Sequence, residues 1–185
     1  MIKRRLKICV SGGSTGSNAE KAAELARKVG EEIAKRGCIL VSGATTGVPY
    51  EAAVAAKKAG GVNIGFSPAG SREEHIRKYH LPAEDSVYDH LVYTEMGYTG
   101  RNLLMVRSSD AVIIIDGRIG TLNEFTVAFE ENQIVGVLEG SGGIADEIRH
   151  LLKVAKKGNR KVIFDNDPVK LIDKIIAKIK EEEKI

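Results

Sequence analysis

The chain predicts an α/β fold of the Rossmann-like kind, three α/β/α layers around a mainly parallel sheet of about seven strands. Three observations predict it. Short apolar runs alternate with stretches of helical periodicity along the chain, the pattern of strands joined by helical crossovers. Glycine-rich segments follow four of those runs, where a strand must turn sharply into a helix. No linker, repeat or low-complexity stretch interrupts the series, so residues 1–185 read as one domain.

The first strand is Leu6 to Val10, followed by Ser11-Gly12-Gly13-Ser14-Thr15-Gly16. A helix then carries Ala22, Ala26, Val29 and Ile33 on one face and ends at Gly37. Cys38 to Val41 forms a second strand and opens into Gly43-Ala44-Thr45-Thr46-Gly47, with Pro49 suited to a first helical turn. That helix is nearly all alanine on its apolar side (Ala52, Ala53, Ala56), which lets it lie close to the sheet. Val62 to Phe66 is the third strand.

Residues 68–86 break the rhythm. Pro68, Gly70 and Pro82 bracket a charged segment, Arg72 to His80, which reads as a short helix in either a lid over a site or an inserted surface loop. A fourth strand falls at His90 to Tyr93, then a helix from about Arg101 to Ser108 and a fifth strand at Ala111 to Ile115. The next helix opens at Gly120-Thr121. Ile134 to Leu138 leads through Gly140-Ser141-Gly142-Gly143 into another, and Val162 to Phe164 is the seventh strand. The final helix aligns Ile172, Ile175, Ile176 and Ile179.

Composition narrows the function. With 43% hydrophobic and 29% charged residues the chain reads as globular and soluble. A net charge of +3 gives no ground for a nucleic-acid or membrane partner, and Lys3-Arg4-Arg5 reads as a solvated lead-in to the first strand. No apolar stretch reaches membrane-spanning length, and Leu6 to Val10 is too short for a signal-peptide core, which predicts a cytoplasmic protein. Cys9 and Cys38 lack ligand spacing and read as buried thiols. His75, His80, His90 and His150 share no ligand spacing either, so no metal site is expected.

In a parallel sheet, ligands collect outside the carboxyl ends of the strands, where helix N-termini offer free N–H groups and partial positive charge. The glycine-rich turns fall there, which favours an anion site over steric necessity alone. A conventional NAD site is not supported. Gly12-Gly13-…-Gly16 only approximates the dinucleotide spacing, and the second strand ends in Val41-Ser42-Gly43 with no carboxylate for the ribose. Nor is there a G-x-x-x-x-G-K-[ST] phosphate loop.

The most informative stretch runs from Arg101 to Glu124. Arg101 is placed in the first turn of its helix, where the macrodipole disfavours a cation unless an anion or carboxylate waits nearby; the alternative is an ordinary solvent-facing arginine. Thr121-x-x-Glu124 has capping-box spacing, so Glu124 is either a cap or a working carboxylate, and periodicity does not decide between them.

These residues resemble the LONELY GUY (LOG) family, often mislabelled lysine decarboxylases, and the neighbouring molybdenum-cofactor carrier proteins. The LOG signature P-G-G-x-G-T-x-x-E appears as Asp116-Gly117-Arg118-Ile119-Gly120-Thr121-Leu122-Asn123-Glu124, with Arg101 at the matching place upstream. The Arg-Asn helix start and the Ser-Ser-Asp-Ala-Val run are closer to the carrier branch. The similarity extends to Ser11-Gly12-Gly13, to Ser42-Gly43-…-Gly47-Val48 and to Ala59-Gly60-Gly61-…-Ile64-Gly65.

The resemblance implies a phosphate-binding set of Gly12, Gly13, Ser14, Gly43, Gly47, Gly117, Arg118, Gly120 and Thr121, with Arg101 and Glu124 as the catalytic pair. LOG enzymes hydrolyse nucleoside 5′-monophosphates to base and ribose 5-phosphate, with no cofactor required. The alternative is a non-catalytic carrier or sensor of a phosphorylated ligand, such as the molybdenum cofactor or a signalling nucleotide. Family members are usually homodimers or larger, and the resemblance implies a homo-oligomer here. Two residues depart from the signature: Asp116 replaces its proline and Arg118 its second glycine. An aspartate at the lip of a phosphate site repels the ligand unless paired. Pyridoxal-phosphate chemistry has no candidate Schiff-base lysine.

Overall fold

The structure, a computed structural model, describes residues 4–13, 19–82, 87–158 and 161–183. Its seven strands are β1 (Lys7–Gly12), β2 (Ile39–Ser42), β3 (Val62–Ser67), β4 (His90–Tyr93), β5 (Ala111–Ile115), β6 (Ile134–Leu138) and β7 (Val162–Asp165). They form one sheet in the order β4-β3-β2-β1-β5-β6-β7, and every neighbouring pair is parallel. β5 and β6 are buried at every position, as strands covered on both faces must be.

The helices are α1 (Ala19–Lys35), α2 (Val48–Lys58), α3 (Arg72–Arg77), α4 (Gly97–Arg107), α5 (Ile119–Glu130), α6 (Gly143–Val154) and α7 (Pro168–Glu182). Alternation along the strands splits the interior into two cores. Ile8, Val10, Ile113 and Ile115 face α1, α2 and α7. Cys9, Val112 and Ile114 face Met105 of α4, Phe125 of α5 and Ile148 of α6. The predicted α/β/α sandwich is therefore borne out. The alanine face of α2 is buried in the first core, but its closest approach is to α1, where a side chain at Gly30 would run into the Ala52 carbonyl.

Two boundaries differ from expectation. α4 begins at Gly97 rather than near Arg101, because Gly97 and Gly100 are poor helix formers that hide its first turn. Arg101 thus sits in the second turn, and the macrodipole argument for it does not apply. Cys38 lies just ahead of β2, its N–H bonded to the Ile33 carbonyl at 3.1 Å. The basic start is not simply solvated either. Arg4 pairs with Asp110 and Glu183, and Arg5 donates to the Gly37 carbonyl at 2.8 Å.

Strand order reverses between β1 and β5: the chain builds outward from β1 to β4, returns, and builds the other way. The crevice at that switch point is where such sheets bind ligands.

Candidate functional site

A cleft of about 370 Å³ opens at the carboxyl ends of β1, β2 and β5. Gly12 and Gly13 enter it from β1, and Gly43, Thr45, Thr46 and Pro49 from the turn between β2 and α2. Arg118, Gly120, Thr121 and Glu124 enter from α5, Tyr98, Arg101 and Asn102 from α4, and Tyr79, His80 and Leu81 from the segment after α3.

Glu124 lies on the floor, 7% exposed. The Ser11 hydroxyl, at the end of β1, donates to its Oε2. Arg101, 4% exposed, places Nη1 at 3.8 Å from Oε1. With its amide nitrogen turned toward α5, Asn102 donates to Glu124 Oε1 and to the Tyr98 carbonyl, both at 3.0 Å. Burial lifts the Glu124 carboxyl above the usual range, while Arg101 and the Ser11 hydroxyl pull it back. Burial also loosens the proton on Arg101, against the charge of Glu124; a guanidinium so basic remains charged.

Arg101 is under-satisfied. Its Nη1 reaches the Met105 sulfur at 3.6 Å, and its Nε has no partner among the described residues. Buried guanidinium groups left this way cost stability.

Arg118 is the N-cap of α5, with no side-chain cap bond. Thr121 is therefore inside the helix rather than capping it, and the Leu122 N–H bonds to the Arg118 carbonyl at 2.9 Å. The capping-box reading is overturned: Glu124 is turned inward to Ser11 and Arg101. The first amides of α5 carry no side-chain cap, and the same holds for α2 at Gly47 and α4 at Met96. Away from the cleft the ends are closed: Ser71 caps α3 and Asp167 caps α7, and Asp146 accepts the Gly140 and Gly142 N–H groups ahead of α6.

The glycines play different roles. A side chain at Gly12 would run into Val48, and one at Gly43 into the Arg101 guanidinium. At Gly13 it would meet Asp116 Oδ2 at 2.6 Å. These three make room for protein groups as much as for a ligand. Gly120 is the exception: it has ordinary helical backbone, and a side chain there would meet nothing within 4 Å.

Gly47 and Gly117 are not among the residues that line the cleft. Gly117 has φ 98 and abuts Thr121, and Gly47 ends the β2 turn with φ 74. Ser14 lies outside the described residues. The turn after β6 is used internally, since the Ser141 hydroxyl accepts the Asp116 N–H at 2.8 Å. Asp116 is not among the residues that line the cleft: its carboxylate packs between Gly13 and Gly143, behind the cleft wall. Sequence reading missed Ser11 and Asn102 as partners of Glu124, and Tyr79, Tyr98 and His80 as lining. Ser11 and Asn102 lie in segments that carry the resemblance, but nothing in their spacing points them at Glu124, and Tyr79, His80 and Tyr98 lie outside any recognisable motif. No cluster of metal-binding side chains occurs among the described residues, and no described helix is long and apolar enough to cross a membrane.

The SLOG cluster4 family matches residues 5–172. The chain belongs to that family. An uncharacterized protein from Archaeoglobus fulgidus is 34% identical over 124 residues, 67% of this chain and 75% of its own length. Among solved structures, the structural-genomics target TM1055 is similar with a TM-score of 0.79 and 25% identity, covering 94% of this chain and 99% of its own. The molybdenum cofactor binding protein of Rippkaea orientalis gives 0.74 and 27%, over 96% and 97% of the two chains. The molybdenum cofactor carrier protein of Chlamydomonas reinhardtii gives 0.71 and 26%, over 96% and 98%. DNA processing protein A of Streptococcus pneumoniae, at 19% identity, shares the fold alone. The resemblance to the LOG and molybdenum-cofactor carrier group is borne out at the level of this SLOG superfamily.

Proposed function

We propose that this SLOG protein binds a phosphorylated small molecule in the cleft and holds it without turnover, as a carrier of the molybdenum-cofactor class. Gly120 carries the reading. A glycine in a first helical turn costs roughly 1 kcal/mol against alanine, and no protein group needs the space it leaves. A phosphate drawn close to the open amides of α5 accounts for it. Arg118 stands at the same helix end, and Arg101 supplies the buried, half-satisfied cation beneath. The cofactor-binding relatives from Rippkaea and Chlamydomonas, similar over nearly their whole lengths, support the choice of ligand.

A second reading rests on a specific feature, the Glu124–Arg101 pair. In a nucleoside 5′-monophosphate hydrolase Glu124 would stabilise the oxocarbenium-like sugar and take a proton from water as that water adds to C1′ and the base departs. Its three partners would orient it, and burial would raise its basicity.

One experiment separates the two. The purified protein is passed over gel filtration with molybdenum cofactor, and in parallel incubated with a panel of nucleoside monophosphates analysed for free base. Co-eluting pterin with no base released supports the carrier. Released base from any nucleotide replaces it with the hydrolase, and no retention with no release removes both.

A further inference from the structure

The cleft has a third wall that neither the phosphate nor the Glu124–Arg101 pair uses. Tyr98, at the start of α4, is 48% exposed, yet it is held from two sides. The Tyr79 ring meets it edge to face, centroids 5.4 Å apart at 86°, and the Arg101 guanidinium lies 5.9 Å from its centroid. An exposed ring ordinarily swings freely; this one is braced and faces the cleft.

Tyr79 is held there by its own segment. His75, fully buried, shares a 2.8 Å bond between Nδ1 and the Ser67 hydroxyl at the end of β3. Its Nε2 donates to the Pro82 carbonyl at 3.0 Å, and the Tyr93 ring packs edge-on at 6.2 Å. These contacts fasten His75 to the sheet and close the far end of residues 75–82 onto it. Between them His80 takes φ 51, a backbone few non-glycine residues adopt. That turn delivers Tyr79, His80 and Leu81 to the cleft.

We propose that Tyr79 and Tyr98 form an aromatic wall that receives the planar heterocycle of the ligand, which sets this protein apart from a bare phosphate binder. The inference rests on the phosphate reading of the same cleft and adds the residues that meet the ligand's fused, flat, nitrogen-rich ring. Stacking on an aromatic side chain tolerates any such ring, because every one has a π face. Residues 71–82 then form a strap that carries Tyr79 to the cleft wall.

The test uses two probes that differ in the ring alone, guanosine 5′-monophosphate and ribose 5-phosphate, with dissociation constants measured by calorimetry for the full chain. Guanine shares the aminopyrimidinone half of a pterin. Tyr98→Ala and Tyr79→Ala are each expected to weaken the nucleotide by roughly tenfold and to leave ribose 5-phosphate unchanged, with Tyr98→Phe close to wild type for both. Equal weakening of both probes, or none of either, overturns the wall while the phosphate site stands. If wild-type protein binds neither probe, the phosphate reading falls and the wall with it.

Discussion

Glu124 and Arg101 set the electrostatics of the site, and their coupling gives it a pH dependence. Burial raises the Glu124 carboxyl, so protonation begins at higher pH than for a surface glutamate. Once neutral, it no longer offsets Arg101. Binding of sulfate, whose own charge is constant, is therefore expected to tighten as pH falls through that raised value. The gain should be on the order of tenfold, and Glu124→Gln should bind tightly throughout; a flat wild-type profile contradicts this. Stability follows the same sign. A carboxyl whose folded value is raised opposes folding when ionised, so the wild type should gain on Glu124→Gln as pH falls through that raised value. Gly43 makes a second prediction. A methyl there would displace the Arg101 guanidinium, so Gly43→Ala should weaken sulfate binding by more than tenfold while costing about 1–3 kcal/mol of stability. Denaturant unfolding alongside calorimetry would check both halves. At this scale the sequence was partly legible. The spacing from Arg101 to Glu124 was readable because it matches a signature, whereas Asp116 was misread as a lip residue. Its left-handed backbone, φ 51, turns the carboxylate toward Gly13 and Gly143, and no spacing rule encodes that turn.

At the level of single elements, α5 trades stability for an open N-terminus. Arginine is a poor N-cap, and Arg118→Ser should stabilise the helix by about 0.5–1 kcal/mol, raising the melting temperature by roughly 1–4 °C for a chain of this size. The same change should weaken sulfate binding through loss of a cation. Gly120→Ala should behave alike: a gain of roughly 0.5–1 kcal/mol from helix propensity and a loss of affinity as the methyl intrudes on the cleft. A variant that gains stability and keeps its affinity would place the anion elsewhere. Strand positions were legible because parallel strands covered on both faces read as unbroken apolar runs. The start of α4 was not. Its first turn holds two glycines whose presence the tertiary structure overrides, and Tyr98 went unnoticed as a result. The helical core of the 68–86 segment was anticipated, but its role was not: His75 makes contacts with residues distant in sequence, beyond the reach of local patterning.

Across the molecule, charge ties α1 to α7, two helices of one layer, at the edge away from the cleft. Glu32 of α1 accepts from Arg36 at 2.5 Å and from Lys35 at 3.2 Å, and Arg36 reaches Asp173 of α7 at 2.9 Å. These partners hold the Glu32 carboxyl down at about 2. A lowered carboxyl contributes stability above the ordinary carboxylate range and loses it as pH falls toward the folded value. Glu32→Gln should therefore lose its difference from wild type as pH drops from about 4.5 to about 2, followed by melting temperature. A difference that persists at the acid end contradicts the assignment. Glu124 and Glu32 thus act on stability with opposite sign as pH falls.

The reversal of strand order between β1 and β5 also has a consequence in time. β1, β2, β3 and β4 pair with their neighbours in chain order, so that half of the sheet needs only successive crossovers. β1 meets β5 across about a hundred residues, as in the pairing of Cys9 with Val112. Closure over that span is the slow kind of contact. Since Ser11 and Gly13 come from one side and Arg118 and Glu124 from the other, the cleft does not exist until this pairing is made. During synthesis a chain released short of α5 has a partial sheet and no site. A ligand held across the seam, as proposed, would engage finished molecules alone and slow their reopening.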